Sequence, residues 1–149
     1  MRTATSLLFA AVIIFVSCQH KNNPASIIGT WKLITGTLTE KNKTTVTHYD
    51  SGKSFIKIIN PTHFAFLQHD LNKGKDSAIA VFEAGGGAYT LNGNQYTEHL
   101  EYCSGRAWEG NSFSFTVEIK NDTLIQTGIE KIDSLGIDRL NVEKYVRVK

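Results

Sequence analysis

A chain of 149 residues, 41% of them hydrophobic and 20% charged, holds enough apolar material for one domain, and its 2 Pro and 12 Gly exclude a collagen-like or low-complexity chain. The formal charge is +2, of which residues 1–17 carry one through Arg2, and the lysines are scattered, so no basic stripe is left for nucleic acid. Two cysteines are too few for a disulfide framework if one of them is engaged elsewhere.

Leu7 to Val16, LLFAAVIIFV, is an apolar run behind Arg2, too short to cross a bilayer and the right size for a secretory signal core. It runs into Phe15-Val16-Ser17-Cys18, which resembles a bacterial lipobox, with Phe15 departing from the usual aliphatic residue. The resemblance implies a lipoprotein signal peptide over 1–17, acylation of Cys18, and a lipid bilayer as partner. Several acyl chains, at about 0.8 kcal/mol per CH2 buried, would anchor the chain stably. Plain secretion with Cys18 left as a thiol is the alternative. Residues 18–26, opening Gln19-His20-Lys21-Asn22-Asn23-Pro24, then form a polar tether. Gln19 stands where an aspartate would resemble an inner-membrane retention signal, and no acidic run resembling a surface-export signal follows Cys18, so an outer-membrane, periplasm-facing lipoprotein of a bacterial envelope is expected. Cys103 is then unpaired, and a lone cysteine at a strand end is expected to be a small packed residue, because a nucleophile needs a base and an electropositive setting.

The domain over 27–149 reads as strands. Ile27 to Ile34, IIGTWKLI, alternates and carries Gly29-Thr30-Trp31, a Gly-x-Trp that resembles the first strand of lipocalins. That resemblance implies that Trp31 closes one end of a barrel beneath a basic residue from the last strand, Arg139 to Val148. Arg147 is the expected cover, with Lys144 as the alternative. Lys41 to Lys43 reads as a solvated turn. Ser54 to Asn60 is a strand stopped by Pro61. His63 to His69 is another; both its faces are apolar, so its inward side is open, with Phe66 as a wall candidate. Asp70 to Asp76 is a polar loop, and Ala78 to Phe82 is read as a strand.

Gly85 to Cys103, GGGAYTLNGNQYTEHLEYC, is the most informative stretch. Asn92-Gly93 suits a type I′ hairpin loop between alternating flanks. That loop would place Tyr89 opposite Tyr96 and Gly87 opposite Glu98. One face then holds Tyr89, Leu91, Tyr96, Glu98, Leu100 and Tyr102, and the other Thr90, Gln95, Thr97, His99 and Glu101, with Cys103 also outside. The aromatic face with its one carboxylate is expected to point inward, Gly87 leaving room for Glu98.

Beyond it, Ser104 to Asn111 is a loop holding Trp108, a rim or lid residue. Ser112 to Lys120 alternates around Phe113, Phe115 and Val117, and Asn121-Asp122 turns it into Thr123 to Lys131, which puts Gln126 opposite Val117 on the inner wall. Eight to ten short strands without βαβ spacing predict an all-β, antiparallel up-and-down barrel with room for one small ligand. The whole order of features is similar to the lipocalin-like domains of bacterial lipoproteins, a family that implies only ligand binding.

The expected function is therefore capture of a small, mainly hydrophobic or aromatic molecule by Tyr89, Tyr96, Glu98, Tyr102, Phe66, Phe115 and Gln126, by a monomer without cofactor. A buried Glu98 has a second reading, as a structural carboxylate tied to a basic or hydroxyl partner. An enzyme using Glu98 or a histidine as general acid/base, and a protein-binding rim around Trp108, are the other function classes. His99 and Glu101 share a strand face but make only two of the ligands a metal needs, so no metal is expected.

Overall fold

The computed structural model describes residues 26–149. The expected signal peptide, Cys18 and most of the expected tether lie outside the described residues. Ten strands run in order: β1 (Gly29–Glu40), β2 (Lys43–His48), β3 (Lys53–Ile59), β4 (His63–Asp70), β5 (Phe82–Asn92), β6 (Gln95–His99), β7 (Tyr102–Cys103), β8 (Ser112–Lys120), β9 (Thr123–Ile132) and β10 (Ile137–Arg147). Single 3-10 turns at Arg106–Trp108 and Asp133–Leu135 complete the regular structure.

Eight strands close on themselves in the order β1-β3-β4-β5-β6-β8-β9-β10, and β10 pairs back on β1. Every pairing is antiparallel. The two remaining strands lie off this circuit: β7 adds to β5, and β2 adds to the far half of β1. β1 therefore changes neighbours, pairing with β3 over Gly29–Lys32 and with β2 over Thr35–Glu40. Above Ile56 nothing joins β2 to β3 through the ladder, and the Tyr49 ring fills the gap against Phe55, 5.9 Å between centroids. Along β10, Ile34 is one residue too many, so the inward positions of β1 change from Trp31 and Leu33 to Gly36 and Leu38.

The hairpin turns one position later than expected. Asn92 pairs with Gln95, so Gly93 and Asn94 form the loop, and the positive φ falls on Gly93 (63°) alone, at the first central position as a type II′ turn requires. Leu91 then opposes Tyr96 and Tyr89 opposes Glu98. A slip of one residue on each strand preserves side-chain parity, so Tyr96, Glu98 and Leu100 still face inward and are buried.

Parity fails after Glu98. Between the Tyr89–Glu98 pair and the Gly86–Tyr102 pair, β5 has two residues and its partner has three. Leu100 is the reason: its N–H donates to Asn111 O and its carbonyl accepts from Gly110 N, both away from β5. This bulge reverses the facing of the next residues along the strand, so Tyr102 is 69% exposed and Cys103 turns inward, opposite to the expectation for both. It also explains Gly87. A Cβ there would run into the backbone at His99 O and Glu101 N, so the glycine makes room for the bulge and not for the Glu98 carboxylate.

The expected strand at Ala78 to Phe82 begins only at Phe82. Asp70 accepts from Gly74 N (2.8 Å) and Val81 N (3.2 Å), which wraps residues 71–81 around its carboxylate and holds its pKa below the ordinary value. The Lys41-Asn42 turn is present with positive φ at both residues, and the strand after it, β2, was not anticipated.

Candidate functional site

The strands run between two unlike ends. At one, Trp31 is fully buried and its indole N–H donates to Ile27 O at 2.7 Å. Arg147 pairs with Trp31 across β10 and β1, its guanidinium 4.0 Å from the ring centroid, while Nη1 and Nη2 donate to Ile28 O and Ser26 O at 2.8 and 2.6 Å. Lys144, the alternative cover, pairs with Thr35 halfway up the barrel. Ile59, Phe64, Tyr96, Val117 and Leu124 fill the space above the indole, so this end is solid.

A cavity of about 470 Å3 occupies the other half. Its floor is polar. The Lys57 ammonium donates to Glu98 Oε1 at 2.7 Å and Gln126 Oε1 at 3.1 Å, and lies 3.7 Å from Glu143 Oε2, whose carboxylate also accepts from the Tyr145 hydroxyl at 2.7 Å. Burial works against the Lys57 charge, but Glu98 and then Glu143 outweigh it and raise its pKa. Burial likewise pushes the Glu98 carboxyl upward, and Lys57 pulls it part of the way back. Lys57 reaches this position because Phe55, Lys57 and Ile59 share the inner face of β3, opposite Gln68, Phe66 and Phe64 of β4.

The upper wall is aromatic, with Phe55 and Phe66 stacked at 5.7 Å, Phe115 beyond them, and Trp108 at the mouth. Trp108 leans on Phe113 (5.8 Å between centroids) and under the Arg139 guanidinium (5.2 Å). Arg139 in turn pairs with Glu130 at 2.7 Å, and Asn141 donates to the same carboxylate at 2.8 Å.

Of the residues expected to touch a ligand, Glu98, Phe66, Phe115 and Gln126 line this cavity. The three tyrosines do not. Tyr102 is outside because the bulge at Leu100 turns it away from the interior. Tyr89 donates to Asn60 O at 2.9 Å and packs on Tyr96 (5.1 Å), both below the floor among the residues of the closed end. Lys57, Gln68, Glu143, Glu130 and Arg139 were missed. An observable sign existed for Lys57, a lysine in register with Phe55 and Ile59, but Ile56 and Ile58 made the opposite face equally apolar. β10 offered less, because Arg139, Asn141 and Glu143 on its inner face read as a solvent side.

The histidines among the described residues sit outside: His48, His63 and His69 are exposed, and His99 bonds to Ser112 Oγ at 2.8 Å on the outer wall. Among the described residues no group of three His, Cys, Asp or Glu side chains is arranged to hold a metal ion.

Tyr96 and Tyr145 are fully buried, and both phenol pKa values lie well above the ordinary one, chiefly through burial and then through Glu98 for Tyr96 and Glu143 for Tyr145. Groups raised in the folded state leave stability intact below the unfolded value near 10 and remove it as pH rises beyond that value, where only the unfolded chain ionises. In an alkaline titration, part of the phenolate absorbance from the 5 tyrosines should therefore appear only as the barrel signal in circular dichroism collapses. Complete ionisation with the barrel intact would contradict this placement.

No protein-family model matches the sequence, and no curated protein does. Among solved structures, the crystal structure of a mutant of the fluorescent protein UnaG is similar, at 13% sequence identity, covering 83% of this chain and 96% of that one, with a TM-score of 0.38. A likeness at that level bears on neither ligand nor activity. The fold itself is an all-β, antiparallel barrel closed by eight strands, with two strands outside the circuit.

Proposed function

We propose that this protein is a binding protein that takes up a small, largely aromatic or apolar molecule in the upper half of its barrel, held at a bacterial envelope by an acylated Cys18. One observation carries the reading: a cavity of about 470 Å3 is sealed below by packed side chains and lined above by Phe55, Phe66, Phe115 and Trp108, with a few buried polar groups at its base. The lipocalin resemblance at Gly29-Thr30-Trp31 with Arg147 is consistent with such a role.

Binding is favoured over catalysis by the state of the groups that catalysis would use. Glu98 is held by Lys57, and the described histidines lie on the outside of the barrel, so among the described residues neither class of expected general base is free inside it.

Native mass spectrometry of the full chain extracted from its host membranes tests the reading. A small molecule that leaves with the protein at mild activation and is lost on denaturation is expected; a chain whose mass is accounted for by polypeptide and acyl groups alone overturns it. The anchor is tested separately. Cys18→Ser should move the protein from the membrane pellet to the soluble fraction, and continued sedimentation with membranes would remove the lipoprotein reading.

A further inference from the structure

The cavity's charges are unequal. Its charged lining consists of two cations, Lys57 and Arg139, and four carboxylates, Glu83, Glu98, Glu130 and Glu143. Both cations are already committed, Lys57 to Glu98 at 2.7 Å and Arg139 to Glu130 at 2.7 Å. Glu143 shares Lys57 only at 3.7 Å, and Glu83 at the mouth has no ion-pair partner among the described residues. An anionic head group entering here would meet two carboxylates in excess and no unengaged cation, at a place where a partly buried charge is poorly screened.

A second feature fits the same head group. Gln68 is 7% exposed, lines the cavity, and makes no side-chain hydrogen bond among the described residues. In the sheet it stands between Glu83 of β5 and Phe55 of β3. Its carboxamide opens onto the cavity, where the carbonyl can accept from a donor that the neighbouring Glu83 would also attract. The rings of Tyr49, Phe55 and Phe66 border the same space, and their faces favour a cation.

We propose that the ligand is a protonated amine on an aromatic or short apolar body, its ammonium seated between Glu143, Glu83 and the Gln68 carbonyl. This rests on the binding function proposed for the cavity and goes further by fixing the sign of the head group. The body lies along Phe55, Phe66 and Trp108, and the Lys57–Glu98 pair forms the floor beneath it.

The test is calorimetric titration of the full chain with three probes that share one body: phenylbutylamine, phenylbutanol and phenylbutanoate. The amine is expected to bind about tenfold more tightly than the alcohol, with the acid weakest. Glu143→Gln should bring amine and alcohol together by weakening the amine alone. Because Glu143 also holds Tyr145, Glu83→Gln at the exposed rim serves as a second variant that leaves the interior packing in place, and it should reduce the same ratio. An acid that binds as tightly as the amine, or a preference for the amine that survives both substitutions, overturns the amine assignment and leaves the binding reading standing. Failure of all three probes overturns the assignment, and only an empty native mass spectrum takes the binding reading with it.

Discussion

Lys57→Met should lower the free energy of unfolding by about 3–5 kcal/mol, because it strands the Glu98 carboxylate in the interior without its counter-charge. Lys57 and Glu98 side chains are 4% and 10% exposed, so water at the cavity floor replaces the lost partner only in part. The double variant Lys57→Met with Glu98→Leu should recover most of that loss, since a buried ion pair and an apolar pair of similar size differ little in stability. Urea denaturation of the three proteins checks both statements. If the single variant unfolds at the wild-type midpoint, the pair is not holding the barrel and Glu98 becomes available to a ligand.

Trp31→Ala should cost a similar amount, about 3–5 kcal/mol, through the cavity left by a fully buried indole at the closed end. Its more informative use is with Arg147→Met. The guanidinium lies 4.0 Å over the ring and spans to Ile28 O and Ser26 O, so the two side chains form one unit. The double variant should be less destabilised than the sum of the singles, by about 0.5–2 kcal/mol. Strict additivity would mean that Arg147 acts only through the chain before β1 and not through the indole.

The parts of the fold legible in the sequence were those governed by local alternation. Ser112 to Lys120 and the turn at Asn121-Asp122 fixed a register that placed Gln126 opposite Val117, as it is found. The hairpin was legible even though its loop was misplaced, because slipping both strands together leaves each side chain on the same face. What failed was parity across irregularities. The extra residue near Leu100 is created by hydrogen bonds to residues 110 and 111, and nothing local to Tyr102 or Cys103 announces it.

The site was less legible than the fold for a related reason. A charged residue on a strand face ordinarily marks the solvent side, so Lys57, Glu143 and Arg139 argued against their own location. The two cations are tolerated inside because each finds its partner on another strand, Lys57 of β3 with Glu98 of β6 and Arg139 of β10 with Glu130 of β9, and Glu143 accepts from Tyr145 beside it on β10. The Lys57–Glu98 pair, 41 residues apart, is a property of the closed sheet, whereas Arg139 and Glu130 face each other across the β9–β10 hairpin; one strand read alone contains neither.

The change of neighbour along β1 has a mechanical consequence. Where β2 and β3 part, the side of the barrel is seamed by one phenol ring rather than stitched by peptide groups. Swinging Tyr49 aside would widen the passage to the interior at the cost of the ring's packing on Phe55 and over Gly36, with every rung of the sheet left in place.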